Sequence, residues 1–167
     1  SEPQGFFLRI HQGTQVAFPV QTCLYMARSD IVQRVHNVII VEDGAELNLI
    51  TGCAMHPSVP AGVHLGVTES YIGRHAKLIS TMVHSWGAET VVRPRAGTVV
   101  EEGGVYVDNY CSLRPAKSIE TNPRTWLKGD NASAKHMTIV LGPPGSTIDT
   151  GGEVYLEGGN SSAELLH

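Results

Sequence analysis

Apolar residues alternate with polar ones in short runs along most of the chain, and polar groups that contain glycine separate the runs. Two such runs, Val38–Val41 and Glu46–Ile50, flank the polar group Glu42–Gly44. Alternation with a period of two predicts half-buried β-strands, and the 3.6-residue period of an amphipathic helix is absent almost everywhere. The pattern therefore predicts an all-β chain of short strands joined by tight polar turns.

The chain also repeats itself. The segment 127–134 reads Leu-Lys-Gly-Asp-Asn-Ala-Ser-Ala, and the segment 156–163, at an offset of 29, reads Leu-Glu-Gly-Gly-Asn-Ser-Ser-Ala. Looser copies lie upstream, and the glycines of all the copies recur at similar intervals: Gly44, Gly73, Gly103, Gly129 and Gly158. One strand–turn–strand unit cannot bury its apolar face alone, so stacked coils of about 29 residues predict a parallel β-helix. An antiparallel sandwich is the competing fold. Glycine at the corners is expected because a tight bend often needs a positive φ.

Composition narrows the class of protein. The 167 residues suit a single domain over 1–167, and 41% of them are hydrophobic, too many for a disordered chain. The net charge is −4 and no long cluster of Lys and Arg exists, which disfavours nucleic acid and anionic membranes as partners. No apolar run approaches a membrane span, and no secretory signal is visible. Three cysteines without a C-x-x-C pair predict reduced thiols and a cytoplasmic protein.

Cys53 is the first candidate for chemistry. It follows the apolar run 47–51 and opens the proline-rich segment 54–62. A thiol at a strand end beside a loop can be exposed, and His56, three positions further on, could raise its thiolate fraction. The alternative is that Cys53 is a small buried apolar residue.

Metal binding is a second possibility. The intervals between Cys23, Cys53 and Cys111 are close to one and two repeats, so stacking would place the three thiols in one row as soft ligands for iron or copper. Coincidence is the alternative. The chain also has eight histidines but no H-x-H or H-E-x-x-H pattern. A cupin-like metal enzyme with histidine ligands, such as His56 or His64, stays an alternative function.

Five motifs in order resemble the SufB/SufD family, from about residue 16 to the end of the chain. The family patterns are P-[LV]-Q-T, a V-x-E-G-A corner, E-G-C-[ST]-A, an L-[RK]-G-[DE] corner and A-D-T-G-T. Their counterparts here are Phe18–Thr22, Asn37–Ala45, Ile50–Ala54, Leu127–Ala132 and Asp149–Gly151.

The resemblance implies a right-handed parallel β-helix that is a scaffold rather than an enzyme. On this scaffold sulfur and iron form a transient iron–sulfur cluster. The partners it implies are a SufC-like ABC ATPase, a second SufB/SufD-type subunit and a sulfur donor protein. Cys53 corresponds to the cysteine that receives persulfide sulfur. A path for sulfur through the helix would include His84, Trp86 and Arg93.

Departures from the family patterns accompany the resemblance. Thr51 replaces the Glu of E-G-C, and the Arg and Asn expected after P-x-Q-T are missing from the segment Cys23–Ala27. The family's later cysteine and its ATPase-binding tail have no counterpart, so the domain is expected to be incomplete at its C-terminus. Unpaired strand edges at an open end predict a homo-oligomer.

Overall fold

The computed structural model describes residues 4–29, 31–114 and 116–167, and over these residues it has fourteen strands and no helix. None of these residues therefore belongs to a long apolar helix of the kind that crosses a membrane. The strands are β1 (Phe7–Ile10), β2 (Val20–Met26), β3 (Val32–Val41), β4 (Glu46–Met55), β5 (Ala61–Ile72), β6 (Lys77–Ser85), β7 (Glu89–Val100), β8 (Val105–Ser112), β9 (Ser118–Thr121), β10 (Arg124–Leu127), β11 (Ser133–Val140), β12 (Thr147–Thr150), β13 (Glu153–Leu156) and β14 (Ser162–Leu166).

The strands form two sheets. One has the order β1-β3-β5-β7-β10-β13, with β9 pairing β7 and β12 pairing β9, and the other has the order β14-β11-β8-β6-β4-β2. The strand pairs of the described residues are parallel, and partners lie one coil apart along the chain; for example, Phe7 pairs with Val38 and Gly97 with Arg124. The structure is therefore a β-solenoid of about five turns with a spacing near 29 residues, as predicted. The antiparallel sandwich and the cupin-like fold are wrong for this chain, because both need antiparallel strands.

Alternate residues of each strand point into the solenoid, which gives an interior with apolar ends and a polar middle. Along β4 the buried residues are Leu47, Leu49, Thr51, Cys53 and Met55. The first two belong to an apolar cluster beside the glycine-containing turns, and the last two belong to a second cluster at the opposite end of the strands. Between them lies a strip of buried polar side chains, among them Asn37, Thr51, His64, Ser70, His84 and His136. A polar strip inside a closed stack of coils is where this fold can place chemistry.

One row of turn residues has positive φ. Its members are Gly13, Gly44, His75, Gly103, Asn131 and Asn160. Their N–H groups continue the hydrogen bonding between coils around the corner; for example, Gly44 N–H donates to the Arg74 carbonyl at 2.8 Å. The predicted glycine row is thus a mixture of two rows, which explains its uneven spacing. Gly44 and Gly103 have positive φ, whereas Gly73, Gly129 and Gly158 lie two positions earlier and are close to the neighbouring coil.

The substitution His75→Gly should stabilise the protein by about 0.5–1 kcal/mol. His75 is exposed and has a φ of 55°, a conformation that costs an L-residue about 1–2 kcal/mol, and the extra chain entropy of glycine offsets part of the gain. Urea unfolding monitored by circular dichroism measures the change. Asn131→Gly is the matched control and should change stability less, because asparagine tolerates this conformation. A His75→Gly protein less stable than the parent would contradict the prediction.

Candidate functional site

Cys53, His64 and His84 meet inside the solenoid. Cys53 on β4 is the direct register partner of His84 on β6, and His64 reaches them from β5 in the opposite sheet. Each of the three residues is only 2% exposed, and one ligand atom from each lies within 4.8 Å of the other two. Parallel stacking therefore brings together three chemically active side chains that are distant along the chain.

Hydrogen bonds orient both imidazoles. His64 Nδ1 lies 2.9 Å from Gln33 Oε1, and because this amide oxygen only accepts, Nδ1 carries the proton and Nε2 keeps its lone pair. His84 Nδ1 lies 2.8 Å from the Tyr110 hydroxyl. His84 Nε2 is buried and has no hydrogen-bond partner among the described residues. Each ring is thus held through Nδ1, and one nitrogen of each ring lies within 4.8 Å of Cys53 Sγ.

Trp86 packs over this cluster. Its ring centroid lies 4.7 Å from that of His64 and 5.0 Å from that of His84. The indole is 2% exposed, and its N–H is also buried without a partner in the part of the chain that the structure describes. Trp86 therefore shields the cluster from solvent at the end of the polar strip.

Burial sets the charge state of the three side chains. Desolvation, with a smaller contribution from Cys23, raises the pKa of Cys53 to about 12. Desolvation lowers the pKa of His64 to about 4, and it lowers the pKa of His84 well below its usual value, with a smaller effect from His64. Near neutral pH the site therefore holds a neutral thiol and two neutral imidazoles, and the thiol reacts as a nucleophile only if its proton is removed.

A cavity of about 90 Å³ leads away from the cluster through the polar strip. Its lining includes Cys53, His64 and His84, and it continues past Tyr110 to Asp108. Asp108 lies 3.1 Å from Nδ1 of the buried His136, whose Nε2 is 3.1 Å from the Thr125 hydroxyl. The volume is sufficient for ordered water.

Of the two positions considered for Cys53, the exposed one is wrong. Strand β4 continues to Met55, so Cys53 lies within the strand and points into the core instead of opening the loop. His56 lies in the exposed loop, with Nδ1 2.6 Å from the Ser58 hydroxyl, and it does not join the cluster. The alternative prediction, that Cys53 is a small buried residue, is confirmed.

The predicted row of three cysteines is also wrong. The register pairs Cys23 with Gly52 and Leu24 with Cys53, so Cys23 and Cys53 belong to neighbouring rows that face opposite sides of the sheet. Cys111 pairs with Val83 and lies outside the row of Cys53. The cause is that the interval between Cys23 and Cys53 exceeds the local coil by a single position, and a shift of one position reverses the facing of a side chain.

Only two of the three residues expected on the sulfur path lie at the cluster. His84 and Trp86 lie at the cluster, whereas Arg93 forms an ion pair with Glu120 at 2.8 Å, and Arg95 rather than Arg93 borders the cavity. Their part in sulfur transfer stays a prediction. The sequence alone indicated no partner for His64. Alternation along β5 could place residue 64 on the inner face, but only the register between coils reveals which side chains it meets.

Comparison with known proteins identifies the family. A family model described as "SUF system FeS cluster assembly, SufBD core domain" matches residues 24–167. The chain belongs to the SufBD core family. An iron-sulfur cluster assembly SufBD family protein of Archaeoglobus fulgidus is 43% identical over 162 residues, which cover 97% of this chain and 43% of the relative.

Other SufBD relatives give the same result. The MTH1150 homolog of Methanothermobacter thermautotrophicus (strain Winter) is 39% identical over 165 residues, covering 99% of this chain and 40% of the relative. The SufBD family protein PH1385 of Pyrococcus horikoshii is 31% identical over 154 residues, covering 92% and 34% of the two chains. The chain spans about two fifths of the length of the Archaeoglobus and Methanothermobacter relatives.

Proposed function

We propose that this SufBD core chain is part of a scaffold for iron–sulfur cluster assembly and that Cys53 is its sulfur acceptor. The observation that supports this most directly is a buried thiol that lines an internal cavity of a SufBD-type solenoid. The relatives are named as iron-sulfur cluster assembly proteins. In this proposal the chain stores and passes on sulfur and does not turn over a substrate.

The chemical step is persulfide exchange. The Cys53 thiolate attacks the outer sulfur of a donor persulfide, the donor S–S bond breaks, and the donor leaves as a thiolate while Cys53 keeps the transferred sulfur as a persulfide. One nitrogen of each imidazole lies within 4.8 Å of Cys53 Sγ. An imidazole takes the thiol proton once the site opens, because burial then no longer holds the pKa of the thiol high and those of the imidazoles low. The sequence suggested His56 as the group that raises the thiolate fraction of Cys53, and in this proposal His64 and His84 do so instead.

The burial of Cys53 imposes a condition on this step. A protein donor reaches the thiol only if the surrounding structure opens, and the segment after β4 is the nearest irregular one. Its Val59 is buried against the same apolar cluster as Cys53. In our proposal, displacement of this segment admits the donor, and its return encloses the persulfide in the cavity.

Partners of the chain follow from the same proposal. A SufC-like ABC ATPase, a second SufB/SufD-type subunit and a sulfur donor protein would form the complete machinery, and the iron–sulfur cluster would be its transient product. Self-association of this chain stays a prediction that light scattering of the purified protein can test.

The substitution Cys53→Ser should remove most of the sulfur that the chain accepts from a cysteine desulfurase supplied with ³⁵S-cysteine. Serine cannot form a persulfide, whereas its size is close to that of cysteine. The measurement is protein-bound label that dithiothreitol releases. Cys23→Ser and Cys111→Ser are matched controls, since these cysteines lie outside the cluster, and both should keep the label. Label that persists in Cys53→Ser and disappears in Cys23→Ser would refute the assignment.

A further inference from the structure

The cluster of Cys53, His64 and His84 has the composition of a metal site. A thiolate and two neutral imidazoles form a donor set that suits borderline first-row transition metals, and the cluster contains no carboxylate of the kind that Mg²⁺ and Ca²⁺ prefer. The three residues come from three strands of a rigid double-layered scaffold. Side chains fixed on strands hold ligand positions more precisely than side chains on loops.

A second, independent observation concerns the atoms around the cluster. His84 Nε2 is fully buried and has no hydrogen-bond partner among the described residues, which is unusual for a buried polar atom. His64 Nε2 faces Gly66, where an added Cβ would lie 3.1 Å from it, while the other nitrogen of the ring makes the hydrogen bond to Gln33. A buried ring nitrogen without a hydrogen-bond partner, such as His84 Nε2, is satisfied when a cation binds to it.

The outer contacts of the two rings match those of known metal ligands. A histidine that binds a metal through one nitrogen usually donates its other N–H to an oxygen, which fixes the ring and its tautomer. Here Gln33 Oε1 accepts from His64 Nδ1 at 2.9 Å, and the Tyr110 hydroxyl lies 2.8 Å from His84 Nδ1. In both rings the hydrogen bond at Nδ1 leaves Nε2 available as the metal ligand.

We propose that Cys53 Sγ, His64 Nε2 and His84 Nε2 bind one divalent transition-metal cation of the Zn²⁺, Fe²⁺ and Co²⁺ class. Metal bonds of about 2.0–2.3 Å bring tetrahedral ligands to roughly 3.5 Å from one another. The donor atoms lie within 4.8 Å, so small side-chain rotations close the site. Binding replaces the thiol proton by the metal and releases that proton to solvent.

The fourth coordination position faces the cavity. Three protein ligands with one open position are typical of sites where the metal meets an exchangeable ligand, whereas purely structural zinc sites use four. Water in the cavity or the Met82 thioether, whose sulfur is 4.0 Å from Cys53 Sγ, can occupy it. A bound metal also occupies the thiolate, so Cys53 holds either the metal or a persulfide at one time.

Cobalt binding to the purified chain tests the proposal. Titration with Co²⁺ should give one bound ion per chain with thiolate-to-metal charge-transfer absorption, and Zn²⁺ should displace it. Cys53→Ser, His64→Gln and His84→Gln should each weaken binding at least about 100-fold, and Gln33→Leu should weaken it about 10–100-fold by freeing the His64 ring. The exposed His56→Gln is the matched control and should bind as the parent does. Circular dichroism verifies that each variant is folded.

Protection of the thiol gives a second test that needs no variant. Saturating Zn²⁺ should slow alkylation of Cys53 at least about tenfold and leave the exposed Cys23 unchanged, as measured by mass spectrometry of peptides. A folded parent chain that binds neither Co²⁺ nor Zn²⁺, or binding that persists in all three ligand variants, would overturn the proposal. The sulfur assay run in chelator is independent of it: metal binding without sulfur uptake refutes only the proposed function, and the reverse result refutes only the metal site.

Discussion

The substitution Gly129→Ala should destabilise the solenoid by more than about 4 kcal/mol, enough to unfold a domain of ordinary stability. A Cβ at this position would overlap the backbone nitrogen of Glu102 and the adjoining carbonyl carbon of Glu101 in the neighbouring coil. Backbone atoms cannot rotate away as a side chain can, so the corner must separate. Separation breaks the hydrogen bonds from Lys128 N–H to Val100 O at 2.9 Å and from Gly103 N–H to Asp130 O at 2.8 Å.

The control for this prediction is Gly97→Ala on β7. Its added Cβ would meet only Trp126 Cζ3 at 3.8 Å, an ordinary contact, and its φ is not positive. Its free energy of unfolding should therefore stay within about 1 kcal/mol of the parent. Guanidinium unfolding followed by circular dichroism compares the two variants, and a Gly129→Ala chain as stable as Gly97→Ala would show that the coils are less closely stacked at this corner than the contacts indicate.

Acidification should destabilise the metal-free parent through His64 and His84. The pKa of His64 is about 4 in the folded protein and near 6.5 when unfolded, so the unfolded chain takes up the proton first as the pH falls. This contribution to stability is complete above pH 6.5 and is lost as the pH approaches 4. Between pH 6.5 and 4.5 the loss from His64 is about 2 kcal/mol. His84, whose pKa is also lowered by burial, adds to it in the same direction.

The side chains in contact with the two imidazoles stay uncharged between pH 6.5 and 4.5. The pKa of Cys53 is raised to about 12, so it stays neutral, and Gln33, Trp86 and Tyr110 carry no charge below pH 7. The carboxylate that lines the cavity, that of Asp108, is hydrogen-bonded to His136.

The observable is the difference in pH dependence between the parent and His64→Gln, measured by urea unfolding in chelator at pH 6.5, 5.5 and 4.5. The slope of the parent should be steeper by the stated amount. Equal slopes for the parent and His64→Gln would contradict the assignment of neutral buried imidazoles.

The strands and the stack of coils were predictable from the sequence because their signals are local and repeated. Alternation with a period of two reports which strand faces are buried. The echo of segment 127–134 in segment 156–163 reports that coils stack in register, and β11 and β14 do pair at that offset of 29. The five ordered motifs between Phe18 and Gly151 predicted the SufBD family, which the family model confirmed.

The cluster itself was not predictable in the same way. Coils differ in length, since the interval from Phe7 to its partner Val38 is longer than the interval from Gly97 to its partner Arg124. Because side chains alternate between faces, an error of a single position in the register exchanges inside for outside. A difference of one position places Cys23 and Cys53 on opposite faces of the sheet. For the same reason the sequence did not reveal that Cys53 pairs with His84 of the next coil.

By itself the sequence determined an all-β repeat, its approximate period, its polar corners and its family. Only the tertiary structure decided that Cys53 is buried, that His64 and His84 are its neighbours and that His75 occupies a position of positive φ. The physical reason is that secondary structure and stacking depend on patterns summed over many residues. A site depends instead on the register of single residues across coils, which no pattern within one coil specifies.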